Sequence, residues 1–229
     1  MTEVQTPARL RPATHQISDE ILASYAAGTL PEALSVVVAA QASICPETRD
    51  RLRELEAIGG GLLELTQGQE MALGSLEATM RKIAERDAQG EDETAAAPQE
   101  VACAVLPAPV RDYVGGGIDA VRWRPVGLGA KQAILRESSE ASLRLLQIPA
   151  GCELPDHSHD GTEMTLVLKG AFLDGDERYA RGDVELADAE TRHTPVADVS
   201  EDCVCLVACE GRLKFSGLLP RIAQPFLRI

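Results

Sequence analysis

The residues best suited to chemistry in this chain lie in the segment PDHSHDGTEMTLVLKG, residues 155–170. The segment places His157, His159 and Glu163 within seven positions, although the whole chain has only four histidines. Side chains alternate between the two faces of a strand, and these three residues all have odd numbers, so they would lie on one face. They can converge if Asp160-Gly161 bends the chain. Imidazole nitrogens and a carboxylate oxygen together indicate a site for a divalent metal.

His193, in the segment TRHTPV, is the natural fourth ligand of such a site. Three nitrogens and one oxygen suit zinc, and they also suit iron, manganese, nickel or copper. Four protein ligands can close a tetrahedral zinc site, or they can leave two open positions on an octahedral iron. The alternative is a pair of surface histidines beside a turn.

The six cysteines form no CxxC pair and no regular framework, so we expect no disulfide scaffold. Cys203 and Cys205 would face the same side of a strand, as buried core residues or as oxidant-responsive thiols. Cys152, just before the two histidines, is open to the same two interpretations.

The elements that must position these residues change in character along the chain. Residues 17 to about 86 have helical periodicity, with Ser18 and Pro31 near helix starts and Gly28 at a helix end. Short strands then follow, and their segments are KQAILRE, ASLRLLQI, EMTLVLKG, DVELAD and DCVCLVAC. We therefore predict an α+β multidomain protein with a helical domain (1–86), a linker (87–107) and a β-sandwich or β-barrel domain (108–229).

The charge balance and the hydropathy exclude some classes of function. The net charge of −14 disfavours direct binding to nucleic acid, because affinity for phosphate depends on clustered Lys and Arg. Residues 1–100 carry 17 acidic and 8 basic residues, which suits either a basic protein partner or simple solubility. No apolar run is long enough to span a membrane and the N-terminus has no secretory signal pattern, so we expect a cytoplasmic protein with no membrane partner.

The metal-ligand segment resembles the first motif of the cupin family, which is a double-stranded β-helix barrel. The positions that match its spacing are Gly151, His157, His159, Glu163 and Gly170. The second cupin motif runs from a glycine to a histidine eleven positions later, as Gly182 and His193 do here. Asp188 and Glu190 replace the usual Pro and Gly between them, so we expect a different turn before His193.

The order of a helical domain, a linker and a cupin resembles the ChrR family of zinc-dependent anti-sigma factors. The resemblance includes the segments YAAGTL (25–30), DYVGGGIDAVRWR (112–124), HTPVAD (193–198) and the tail LPRIAQPFLRI (219–229). It implies that the helical domain binds an extracytoplasmic-function sigma factor and blocks its access to core RNA polymerase. It also implies that the cupin responds to singlet oxygen or related oxidants.

One part of the chain departs from that family. Its helical domain holds a structural zinc with an early His and a His-x3-Cys-x2-Cys motif, whereas this chain has Gln16, Gln41, Cys45 and Thr48 at those positions. A zinc site needs about four ligands and only Cys45 remains, so we expect this site to be lost. The helices would then bind a sigma factor without zinc, or would have lost that role.

Three functions remain open from the sequence. The first is an anti-sigma factor with one metal in its cupin, most simply zinc. The second is a cupin metalloenzyme, such as an iron dioxygenase or an isomerase acting on a small organic acid. The third is a binding module for a small molecule. The helical half is too small and too rich in alanine to bury a large core alone, so we expect a partner to complete it. The oligomeric state stays open, a dimer included.

Overall fold

The computed structural model describes residues 13–88, 105–211 and 213–215. Five α-helices come first along the chain, and a β-rich domain follows. The helices are α1 (Asp19–Ala26), α2 (Glu32–Ile44), α3 (Pro46–Glu64), α4 (Ser75–Ala88) and α5 (Ala108–Val114). A short 3-10 helix, Ile118–Ala120, leads into the first strand.

The helix ends follow from local chemistry. Ser18 is extended just before α1, and Asp19 and Glu20 place negative charge in its first turn, where the helix dipole favours it. Gly28, two residues after α1, has a φ of 69° that other residues rarely adopt. Gly115 ends α5 in the left-handed conformation, which is a common helix stop.

Eleven strands are present in the described residues, and they form three antiparallel sheets. They are β1 (Arg124–Gly127), β2 (Ala130–Glu137), β3 (Ala141–Ile148), β4 (His157–His159), β5 (Glu163–Lys169), β6 (Ala171–Asp174), β7 (Glu177–Ala180), β8 (Val184–Ala187), β9 (Val196–Ala197), β10 (Cys203–Glu210) and β11 (Leu213–Phe215). The largest sheet has the order β1-β2-β3-β10-β5-β8. The others are β7-β6-β9 and β11-β4. The predicted fold class, helices followed by a cupin barrel, is confirmed.

The two faces of the largest sheet bury different side chains. Val204, Leu206 and Ala208 of β10 belong to a core shared with α1, α2 and α5. Cys203, Cys205 and the alternate positions of β10 face the other way, into a second core with Phe172. Helices α1, α2 and α5 therefore cover the outside of the barrel wall, and the second face is left to the barrel interior.

The core of α2 is completed within the chain. This helix packs against β3, β5 and β10, and its residues Val37, Val38 and Ala40 have no exposed surface. A separate partner is therefore not needed for this helix, contrary to our expectation for the helical half as a whole. Helix α4 is different, because no residue of it is buried among the side chains that the structure describes.

Contacts divide the described residues into two compact units, one formed by 13–59 with 105–215 and the other by 60–88. Most of the predicted linker 87–107 and the tail 219–229 lie outside the described residues, so the predicted domain boundaries remain a prediction. Among the helices that the structure describes, none is both long and apolar enough to cross a bilayer.

Candidate metal centre

Strands β4 and β5 supply the first three predicted ligands. His157 and His159 are the ends of β4, which pairs with β11, and Glu163 begins β5, which pairs with β8 and β10. The chain bends between the two strands at Gly161, where an added Cβ would lie 2.9 Å from the Cβ of Glu210. This close approach explains why a glycine stands between the ligands.

His193 reaches the same place from the loop after β8. Its backbone forms a bridge with His157, with N···O distances of 3.3 and 3.2 Å. The turn before it is held by Asp188, whose carboxylate accepts N–H bonds from Glu190 and Thr191 at 3.0 and 2.9 Å. Asp188 therefore builds this turn with its own side chain, in a segment where the usual cupin Pro and Gly are replaced.

The four predicted ligands converge in the barrel interior. The Nε2 atom of His193 lies 3.1 Å from the Nε2 atoms of both His157 and His159. Glu163 Oε2 lies 3.3 Å from His159 Nδ1. One ligand atom from each of the four residues lies within 4.8 Å of the others, and all four residues are buried.

The electrostatics of this cluster suit a cation. Burial lowers the pKa of His157, and burial together with the charges of His157 and His193 lowers the pKa of His159 to about 4. Burial raises the pKa of Glu163 to about 7. Neutral imidazoles offer nitrogen lone pairs. Two ring nitrogens that are 3.1 Å apart repel each other when their lone pairs face, unless a proton or a metal lies between them. The donor set therefore fits a divalent metal, which would also favour the ionised form of Glu163.

Two carboxylates that the sequence did not suggest face the other side of His193. Its Nδ1 atom lies 3.4 Å from Asp174 Oδ2 and 3.5 Å from Glu185 Oε1. Burial lowers the pKa of His193, but the neighbouring carboxylates Glu185, Glu163 and Asp174 outweigh it and the net shift is upward. Burial raises the pKa of Glu185. These residues come from β6 and β8, and no local motif links them to the histidine.

The three predicted thiols lie in different environments. Cys203 and Cys205 are buried with their sulfur atoms 3.5 Å apart. The hydrogen bond with Cys203 and burial raise the pKa of the Cys205 thiol well above its usual range. Cys152 is partly exposed and donates to the carbonyl of Leu128 at 3.3 Å. Cys203 and Cys205 are packed in the second core, and their redox role remains a prediction.

A fourth thiol, Cys209, contacts a predicted metal ligand. Its sulfur is 3.8 Å from His159 Nδ1, and it pairs across the sheet with Glu163. Burial raises the pKa of Cys209 to about 12. Parity along β10 could have identified it, because positions 203, 205 and 209 share one face.

The positions where the resemblance implies a lost zinc site make other contacts. The side-chain amide of Gln41 donates to the carbonyl of Gly182 at 3.0 Å, and the Thr48 hydroxyl donates to Gln41 Oε1 at 3.1 Å. The Cys45 thiol donates to Glu47 at 3.2 Å, and Gln16 is exposed. Gln41 and Thr48 thus belong to a hydrogen-bonded joint between α2, α3 and the barrel. The loss of the zinc site remains a prediction.

Comparison with known proteins gives consistent results. A family model described as the ChrR cupin-like domain matches residues 114–212. The chain is 47% identical over 215 residues to "Anti-sigma-E factor ChrR" of Cereibacter sphaeroides, covering 94% of this chain and 98% of the relative. It is also similar to a chain in the crystal structure of Rhodobacter sphaeroides SigE in complex with the anti-sigma ChrR. That similarity has a TM-score of 0.74 and 46% identity, and it covers 86% of this chain and 99% of the other. This protein therefore belongs to the ChrR family of anti-sigma factors.

Proposed function

We propose that this protein is an anti-sigma factor, which binds an extracytoplasmic-function sigma factor and keeps it from core RNA polymerase. The observation that carries the proposal is the 47% identity to an anti-sigma factor over almost the full length of both chains. The proposed partner is a subunit of RNA polymerase, so the function requires a cytoplasmic location.

An exposed apolar surface on α4 supports this partner. Leu76, Met80 and Ile83 are spaced four and three residues apart and therefore lie on one face of the helix. We name them the α4 apolar stripe. Their exposed fractions are 68%, 56% and 50%, which is unusual for large apolar side chains on one helix face. A sigma factor that covers the stripe would remove this surface from water.

The proposed metal site of the cupin consists of His157, His159, Glu163 and His193. Zinc is the metal that four such ligands can hold in a closed tetrahedral site, without an open position for a substrate. The same nitrogen and oxygen ligands also bind iron, manganese and nickel. We expect one metal per chain, because the positions implied for a second site include two glutamines and a threonine.

The cupin would then receive the signal that releases the sigma factor. We propose oxidative stress as that signal. The Cys203 and Cys205 sulfur atoms are 3.5 Å apart in the second core, and Cys209 lies 3.8 Å from His159. An oxidant that reached these thiols would alter packing beside the metal ligands.

Transcription reconstituted from purified components tests the function directly. Core RNA polymerase and an extracytoplasmic-function sigma factor are assayed on the promoter of that sigma factor, with increasing amounts of this protein. We expect inhibition that saturates near one protein per sigma factor and that excess sigma factor reverses. No binding to any such sigma factor from the same cell would contradict the proposal. Stoichiometric iron and oxygen uptake with an organic acid would instead favour a dioxygenase.

A further inference from the structure

The two ring nitrogens of His193 have different neighbours. Its Nε2 atom points at the Nε2 atoms of His157 and His159, both 3.1 Å away. Its Nδ1 atom is buried and has no hydrogen-bond partner of normal geometry among the described residues. A buried, unpaired ring nitrogen costs free energy, so its surroundings need an explanation.

Two carboxylate oxygens lie just outside hydrogen-bond distance of that nitrogen. Asp174 Oδ2 is at 3.4 Å and Glu185 Oε1 is at 3.5 Å. The Glu185 side chain is only 7% exposed, and the Asp174 side chain is 22% exposed. Burying a carboxylate is costly unless it meets a donor or a cation, and the Nδ1–H group of His193 is the donor that both of them face.

The tautomer of His193 connects the roles of its two ring nitrogens. A histidine that binds a metal through Nε2 must carry its proton on Nδ1, and that N–H group needs an acceptor. An acceptor also fixes the rotation of the ring about its side-chain bonds. The backbone bridge to His157 positions only the main chain of His193, so the ring orientation needs a second constraint.

The two acceptors come from strands of two different sheets. Glu185 lies in β8 and pairs with Thr165 of β5, two residues after the ligand Glu163. Asp174 ends β6 and pairs with Glu177 of β7. The barrel therefore brings a carboxylate from each of two sheets to the same imidazole nitrogen.

We propose that Asp174 and Glu185 are positioning residues, which accept the Nδ1–H bond of His193 and hold its Nε2 atom toward the metal. The inference rests on the proposed metal site of the cupin. In the metal-bound protein the Nδ1···O distance to at least one of them shortens to that of a hydrogen bond. Because each carboxylate sits on a different strand, either one alone keeps part of the effect.

The test measures zinc affinity of the full-length chain by competition with a chromophoric chelator. The variants are Glu185→Gln, Asp174→Asn and the double variant. Glu190→Gln is the matched control, because it removes the same charge from an exposed side chain three residues before His193. We expect each single variant to weaken zinc binding by about 10- to 100-fold and the double variant to weaken it further. The control should stay within about twofold of the unmodified chain.

Two further measurements separate positioning from a general structural role. Thermal unfolding of the metal-free variants should begin no lower than that of the metal-free parent chain, while the rise in midpoint caused by zinc becomes smaller. In long-range nitrogen–proton NMR spectra of the zinc form, the Nδ1 proton of His193 should move upfield in Glu185→Gln, because a neutral amide is the weaker acceptor.

The outcomes distinguish failure of this inference from failure of the metal site. Unchanged zinc affinity in both single variants and in the double variant would overturn the positioning role. A second zinc per parent chain that is lost in Asp174→Asn would also overturn it, because the carboxylates would then bind a cation of their own. A parent chain that takes up no zinc would instead contradict the proposed metal site.

Discussion

The α4 apolar stripe gives the sharpest prediction about the partner. We expect the double substitution Leu76→Ala with Ile83→Ala to weaken sigma-factor binding while the free protein stays folded. Full burial of a leucine or isoleucine side chain contributes about 1.5–3 kcal/mol. Leu76 is 68% exposed and Ile83 is 50% exposed, so a partner can bury up to about two thirds of the first and half of the second. Each residue then contributes about 1–1.5 kcal/mol to binding, allowing for the β-carbon that alanine keeps.

The sum of about 2–3 kcal/mol corresponds to a roughly 30- to 150-fold rise in Kd. The stability of the free protein should hardly change, because both side chains already face water and alanine is the best helix former. The measurement is isothermal titration calorimetry against the sigma factor, with a thermal unfolding curve of each variant. Val199→Ala is the control, because this residue is 86% exposed on the cupin, and we expect its Kd to be unchanged.

The result that refutes the reasoning is a folded double variant that binds the sigma factor as tightly as the parent chain does. The stripe would then not lie in the interface, and another surface would have to supply the binding energy. A loss of binding that came with a large fall in the unfolding midpoint would also contradict the argument, because it would mean that the stripe is needed for the fold.

Three other predictions test the remaining parts of the molecule. Gln41→Ala leaves the Thr48 hydroxyl and a buried carbonyl of the cupin without a partner, so we expect a loss of about 1–3 kcal/mol in the free energy of unfolding, measured with urea. In the native protein, iodoacetamide should modify Cys152 well before Cys205, because the second thiol is buried and its pKa is raised; peptide mass mapping would detect the reverse order. Elemental analysis should find about one metal per chain and none after His157→Ala, whereas two metals per parent chain would contradict the expected loss of the N-terminal zinc site.

The convergence of three of the proposed metal ligands was predictable because their spacing is local. His157, His159 and Glu163 lie within seven residues, and one bend between two strands brings them together. The long central strands were predictable because short apolar runs bounded by turn residues are typical of buried strands, and both faces of β5 and β10 are buried. Strand β3 (Ala141–Ile148) covers the segment ASLRLLQI that the pattern indicated.

The surroundings of His193 could not be predicted in that way. Asp174 and Glu185 are ordinary acidic residues in the sequence, and only the pairing of β6 and β8 with other strands brings them to one imidazole. Cys209 is a partial case, because parity along β10 gives its face, but its approach to His159 depends on the pairing of β10 with β5. Contacts set by sheet topology have no short-range sequence pattern.

The helical half shows a second limit of sequence patterns. An apolar helix face signals that something covers it, but the pattern does not say what. In α2 the cover is the barrel of the same chain, where Val37 and Val38 are fully buried. In α4 the apolar stripe stays exposed among the described residues. The structure separates a helix that completes the fold, α2, from one whose apolar stripe is exposed, α4.

The hydrogen-bonded joint at Gly182 connects helix α2 to the barrel. Gln41 of α2 binds the carbonyl of Gly182, and the next residue, Asp183, accepts backbone N–H bonds from Thr14 and His15. Strand β8 follows at once and carries Glu185 to the buried side of His193. The segment that anchors the first two helices is thus continuous with a strand that contacts a proposed metal ligand. The proposed metal site is therefore connected to the helices by a short series of contacts along β8, and this connection needs no zinc in the helical domain.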